Sequence, residues 1–217
     1  MPSTPPRACS VHGARRRFCR SWPRHVQAAR QRRVITMMNK AQADIAYGFT
    51  AIARDDAAYY AFWLMNNALG QYAIGGRLGD SIRERQGMAY YVFSSLDATV
   101  IEGPLVVRAG VSPANVDRAV ASIDEELVRL AREGVSEREL AESRQYLIGS
   151  MPRTLETNAG IATFLQTIEF FGLGLDYDVR VPELLGQVTL DEVRAAARRV
   201  LDPDRATVII AGPYDDG

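Results

Sequence analysis

The sequence predicts an α+β domain in which a mostly antiparallel sheet packs against helices on one face. Three observations lead there. From residue 41 onward the apolar pattern alternates between strand and helix periods, in the order β-α-α-β-β-α-α-α-α-β. Two of those strands follow each other directly, so they pair as a hairpin or meander and not through a parallel crossover. The helical segments each carry an apolar stripe that a sheet face could cover.

The first strand is Ala43 to Ala53 (ADIAYGFTAIA), rich in β-branched, aromatic and small residues. Asp55 is placed to cap the next helix, where Ala58, Phe62, Met65, Leu69 and Tyr72 share one stripe. Gly75-Gly76 breaks it, and a shorter helix, Arg77 to Arg85, runs into Gly87. The strands Ala89 to Asp97 and Gly103 to Val111 meet at a turn through Glu102-Gly103. Ser112-Pro113 opens a helix with serine as cap and proline at the first helical position. Val116, Val120, Ile123, Leu127 and Leu130 form its stripe, and Gly134 ends it. Ser136-Glu137-Arg138-Glu139 is a capping box whose helix carries Leu140, Leu147 and Met151 up to Pro152. Ile161, Phe164, Leu165, Ile168 and Phe171 mark another core-facing helix, ended by Gly172. Thr189-Leu190-Asp191-Glu192 is a second capping box, with a helix that stops near Asp202-Pro203. Arg205 to Ala211 (RATVIIA) closes the chain as a buried strand.

At 217 residues and 47% hydrophobic content the chain can bury one sizeable core. It contains no apolar run of 18 residues, the length a membrane-spanning helix needs. Its zero net charge hides a segregation: residues 1–43 hold nine arginines, Lys40 and no acid. Residues 44–217 carry sixteen arginines against all 26 carboxylates, a net charge of −10. An acidic domain repels phosphates and favours cationic partners such as basic peptides, which argues against nucleic acid. Residues 1–40 read as a basic tail, and the proline- and arginine-rich stretch 1–36 is expected to be disordered. Its composition fits a translation-start artefact upstream of Met37 and Met38, an organellar transit peptide, or a basic binding arm. Residues 41–217 are then the domain. Cys9, His12, Cys19 and His25 all lie in the tail, at spacings that match no usual zinc pattern.

The domain therefore has no histidine and no cysteine, so it offers no imidazole base, no nucleophilic thiol and no H-E-x-x-H or H-x-x-E-H. Gly172-Leu173-Gly174 lacks the strand and helix of a dinucleotide fingerprint. The informative stretch is GGRLGDSIRERQGMAYYVFSS, Gly75 to Ser95. Arg83 on a helix is followed, across a Gln-Gly break, by Tyr90 on the next strand. Taken alone, Arg83 beside Glu84 and Arg85 is a solvated charge, and Tyr90 beside Tyr91 and Phe93 is sheet packing.

That helix-turn-strand resembles the C-terminal half of the pitrilysin-type zinc metallopeptidases, the insulinase and mitochondrial-processing-peptidase family. So do the opening strand with ARDDAAYYA, the helix SERELAESRQYLIGS, the segment LETNAG and the closing VTLDEVRAAARRVLDPDRATVIIAGP. The resemblance covers roughly residues 41–213. It implies an α/β roll, and two such halves closing as a clamshell around a chamber. It further implies that Arg83 and Tyr90 bind the peptide backbone near the scissile bond. Zinc is expected in the partner half, a domain or subunit bearing H-x-x-E-H, and none in this chain. Alone, the chain is then inert. Some family members are scaffolding subunits that cleave nothing, which leaves an assembly role, or a truncated fragment, as the alternative.

Overall fold

The computed structural model describes residues 29–71 and 76–215. Five strands form one sheet: β1 (Gln31–Thr36), β2 (Ala43–Thr50), β3 (Ala89–Leu96), β4 (Pro104–Val111) and β5 (Thr207–Gly212). Their order is β1-β5-β2-β4-β3. β1 runs parallel to β5, and the other pairings are antiparallel. Alternation decides which face is covered. Ile45, Tyr47 and Phe49 of β2, Leu105 and Val107 of β4, and Val208 and Ile210 of β5 point into the core. Ala46, Phe93, Arg108 and Ile209 lie on the opposite, more open face. The α+β class and the mostly antiparallel sheet are therefore as the sequence predicts.

The described residues hold six α-helices, α1 (Tyr59–Gly70), α2 (Val116–Glu133), α3 (Glu137–Thr154), α4 (Asn158–Phe171), α5 (Tyr177–Gly186) and α6 (Leu190–Val200), with α1 packed on β3 and α2 on β2. A further helical segment, Gly79–Arg85, is wound as a π-helix. The stripe of α2 is buried in full and ends at Gly134, whose φ of 73° suits glycine. Both capping boxes form. The carboxylates of Glu139 and Glu192 accept from the backbone N–H of Ser136 and Thr189, each at 2.7 Å.

α1 departs from a one-sided stripe. It packs on β3 on one side and on α3, α5 and α6 on the other, so Ala61, Leu64 and Ala68 are buried along with Phe62, Met65 and Leu69. Just before it, the buried guanidinium of Arg54 stands 3.6 Å from the Tyr59 ring centroid, with Tyr60, Phe171 and Tyr177 around it. It donates to the Tyr177 hydroxyl at 2.9 Å, fastening the end of α4 and the start of α5 to the β2–α1 loop. Burial, with Tyr60 alongside, pushes the Tyr177 phenol well above its ordinary range.

Other details correct the sequence reading. Asp55 does not cap α1: the N-cap is Ala58, with no side-chain cap bond, and Asp56 accepts from the Ala58 N–H at 2.9 Å just ahead of the helix. α3 continues through Pro152 to Thr154. α5 is absent from the sequence reading, and it holds Pro182 in its interior. Tyr177, Val181 and Leu185, four residues apart, bury a stripe that outweighs the local cost of proline. α4 does not bury the stripe expected of it. Ile168 is its buried residue, while Ile161, Leu165 and Phe170 are 41, 45 and 66% exposed.

β1 is the larger correction. Its residues fall in the stretch expected to be disordered, yet it forms an edge strand in register with β5 from Gln31↔Thr207 to Thr36↔Gly212. Its side chains are mostly exposed, so apolar patterning gives no signal, and main-chain hydrogen bonds and ion pairs hold it. Arg30 pairs with Asp124 at 2.9 Å, and Arg32 with Asp117 at 2.8 Å. Residues 1–28, with Cys9, His12, Cys19 and His25, lie outside the described residues, as do Tyr72 and Gly75.

Candidate functional site

Arg83 and Tyr90 lie on the two sides of a single turn. The π-helix carries Arg83 in its last turn, with the side chain 36% exposed and Nε 3.8 Å from Glu84. Such windings recur at functional sites, because the extra residue per turn re-aims a side chain. The chain then reverses at Gly87, with φ of 61°. The Gly87 N–H donates to the Arg83 carbonyl at 3.0 Å, and the Met88 N–H to the Ile82 carbonyl at 3.1 Å. Gln86 ties this turn to α2 through the Ser122 hydroxyl at 3.2 Å. A Cβ at Gly87 would meet nothing within 4 Å. Gly87→Ala is therefore expected to destabilise only through its left-handed backbone, by about 1 kcal/mol, read as a small shift of the urea midpoint.

Beyond the turn, β3 opens with an irregularity. Ala89 pairs with Val111 and Tyr91 with Gly110, which leaves Tyr90 as one residue too many for the ladder. The consequence is geometric. Val92 and Ser94 face the core, at 0 and 1% exposure, and by alternation Tyr90 belongs to the same series. The bulge hands that core position to Ala89 and turns Tyr90 outward, where it is 63% exposed. The sequence reading that Tyr90 is ordinary sheet packing does not describe this tyrosine. It does describe Tyr91, whose ring lies against Gly110 and whose hydroxyl donates to Asp44 at 2.8 Å. Burial and the Asp44 carboxylate push the Tyr91 phenol up to about 12.

An open cleft of about 540 Å³ runs beside the π-helix, lined by Arg77, Asp80, Glu84, Arg85, Arg129, Glu133 and Glu139. Neither Arg83 nor Tyr90 lines it. Its most buried pair anchors the start of the π-helix: Arg77 holds both carboxylate oxygens of Glu139, at 2.6 and 2.9 Å, and also the Gly134 carbonyl at 2.7 Å. Burial alone would raise the Glu139 pKa, but the bonds from Arg77 and Ser136 outweigh it and hold the carboxyl at about 2, below its ordinary 4.5. The folded value is the lower one, so this stability is complete above pH 4.5 and is lost as pH falls from there through about 2. Glu139→Gln is expected to remove on the order of 2 kcal/mol of that acid dependence, measured by urea unfolding along a pH series.

Among the described residues no group of three or more His, Cys, Asp or Glu is arranged to hold a metal ion. No described helix is long and apolar enough to cross a membrane. The donor set does not fit zinc, and what the site offers is a neutral hydroxyl and a cation. The sequence reading named both residues but did not foresee the bulge at Tyr90. Gly110, a glycine near the end of β4, was the available signal.

Comparison with known proteins gives a consistent picture. The model of the peptidase M16 inactive domain matches residues 20–147, beginning inside the segment read as a tail. An uncharacterized zinc protease of Streptomyces coelicolor is 30% identical over 81% of this chain and 38% of its own length. An uncharacterized zinc protease, YmxG, of Bacillus subtilis is 28% identical over 78% of this chain and 41% of its own. The chain thus spans about two fifths of the length of the curated relatives it matches. The crystal structure of a peptidase M16 inactive domain from Pseudomonas fluorescens superposes with a TM-score of 0.76 at 25% identity, over 85% of this chain and 43% of that one. A protease from Helicobacter pylori shares the fold at a TM-score of 0.74 and 15% identity, over 86% of this chain and 45% of that one. With more than half of its residues matched by the family model, the chain belongs to the peptidase M16 inactive-domain family, the non-catalytic part of the pitrilysin-type zinc metallopeptidases.

Proposed function

We propose that the chain binds peptide substrate for a zinc metalloendopeptidase and works only with an H-x-x-E-H-bearing domain or subunit. The observation that carries this reading is the bulge that takes Tyr90 out of the core series and leaves its phenol exposed, one turn away from Arg83. A sheet gains nothing in stability from turning a tyrosine outward, whereas a binding surface does. Attack on a peptide carbonyl builds negative charge on its oxygen, and a preorganised donor that meets that charge lowers the barrier. The Tyr90 hydroxyl is such a donor. The Arg83 guanidinium stays charged and offers a planar fork to a substrate carbonyl or carboxylate. The zinc is supplied by the partner half. The net charge of −10 over residues 44–217 suits basic peptides.

The test is zinc-dependent cleavage of a basic peptide by the purified chain, alone and mixed with an H-x-x-E-H subunit from the same source. Cleavage in the mixture only is the expected result. Cleavage by the chain alone overturns the reading, and a stable complex that never cleaves assigns the chain an assembly role instead.

A further inference from the structure

The π-helix closes one residue wide. In the usual glycine-capped helix end, the glycine N–H would reach the Glu84 carbonyl and the next N–H the Arg83 carbonyl. Here the Gly87 N–H donates to Arg83 and the Met88 N–H to Ile82, each one residue further back. The Gln86 N–H also donates to the Arg83 carbonyl, so Arg83 is the residue on which the turn closes. Such windings are rare, the α turn being the more favourable one, and this turn is as firm as its ties to its neighbours. Two of those ties are on α2. Among the residues that α2 buries, Ser122 and Glu126 alone are polar. They lie one helical turn apart beside the apolar stripe, where a buried polar group costs stability unless it is bonded. What they bond includes the end of the π-helix. The Gln86 side-chain amide and the Ser122 hydroxyl bond to each other at 3.2 Å, and the amide also donates to the Ser81 hydroxyl at 3.4 Å. Glu126 holds Arg129 of its own helix and, at 3.6 Å, Arg85.

We infer that Ser122 and Glu126 grip the wide turn from α2, which makes them positioning residues for Arg83. The grip acts at Arg85 and Gln86, within the turn that closes on the Arg83 carbonyl. Arg77, held by Glu139 and the Gly134 carbonyl, fixes the other end of the segment. Between these two ends Ser81 and Ile82 are buried, and Arg83 is the first residue after them to emerge. A turn released from α2 would carry Arg83 with it. The grip is independent of the function proposed above; its effect on cleavage rests on that reading.

The experiment measures amide hydrogen exchange by NMR in the full, isotope-labelled chain. The Gly87 and Met88 amides, which close the wide turn, should exchange slowly in the parent. Ser122→Ala, Glu126→Gln and, from the exposed side, Gln86→Ala should each speed these two amides several-fold, while Val107 and Ala109 in the core of β4 exchange as before. If Glu126→Gln shows no cooperative unfolding transition, the other two variants decide. Folded variants whose Gly87 and Met88 amides exchange as in the parent overturn the grip. In the reconstituted peptidase the same variants should raise KM several-fold and have no further effect in an Arg83→Ala background, an outcome that a merely structural role would not give. Faster exchange with unchanged KM, where Arg83→Ala itself raises KM, overturns the positioning role and leaves the proposed function standing. Faster exchange where Arg83→Ala cleaves like the parent keeps the grip and removes the role given to Arg83.

Discussion

Tyr90→Phe is expected to lower kcat of the reconstituted peptidase by about 100- to 1000-fold while leaving KM close to the parent value. The size follows from the 2.7–4 kcal/mol or so that one donor to a developing oxyanion contributes, an interaction made in the transition state and not in the ground state. The ring remains, so contacts with the bound peptide survive. Stability should not change beyond about 0.5 kcal/mol, because the side chain is 63% exposed and lies outside the core. Arg83→Ala should act differently, raising KM as well, since a guanidinium holds the substrate before the reaction begins. Full Michaelis curves for both variants, together with their urea midpoints, separate these effects. A Tyr90→Phe enzyme with unchanged kcat would remove the hydroxyl from the mechanism.

The second large effect is on folding. A chain shortened to begin at Met37 loses β1 together with Arg30 and Arg32. At a net contribution near 1 kcal/mol for each main-chain bond, the ladder of six register pairs accounts for roughly 3–6 kcal/mol. That is comparable with the whole stability of many domains. The loss continues inward: Asp124 accepts from the buried Tyr47 hydroxyl at 2.7 Å as well as from Arg30, so removing Arg30 leaves that carboxylate without its cation. It also strips the cover from β5, whose Val208-Ile209-Ile210 run becomes a free apolar edge open to other chains. The shortened chain is expected to be largely unfolded or aggregated by circular dichroism and light scattering under conditions where the full chain is folded. A shortened chain with an unaltered urea midpoint would show that β1 adds nothing.

What was legible in the sequence follows from where the physics is local. The capping boxes at Ser136 and Thr189 are set by contacts three residues apart, and both were read correctly. The stripe from Val116 to Leu130 buries against one surface, so its period sufficed. β1 was missed because an edge strand with exposed side chains is held by its partner's backbone, 176 residues away, and leaves no pattern of its own. α5 was missed because Pro182 speaks against a helix that only tertiary packing explains. α4 was read as helix correctly and as core wrongly. Its stripe has the right period, but periodicity does not reveal whether a neighbour is present to cover it. At the site, the spacing of Arg83 and Tyr90 was visible, while the outward turn of Tyr90 depends on a count of residues in two strands that no single strand records.

The parallel pairing of β1 with β5 also sets a timetable. Gln31 and Thr207 are opposite one another, yet 176 positions separate them along the chain. β5 lies between β1 and β2, so until it arrives β1 has no neighbour in the sheet at all. At ribosomal rates of 5–20 residues per second, the segment around Gln31 waits about 10–35 s before its partner is made. Closing so long a loop makes this the pairing of highest contact order in the molecule and sets it late on the folding route. During synthesis the nascent domain is thus a three-stranded β2-β4-β3 sheet whose β2 edge stays open, and the arrival of β5 converts it to its final form.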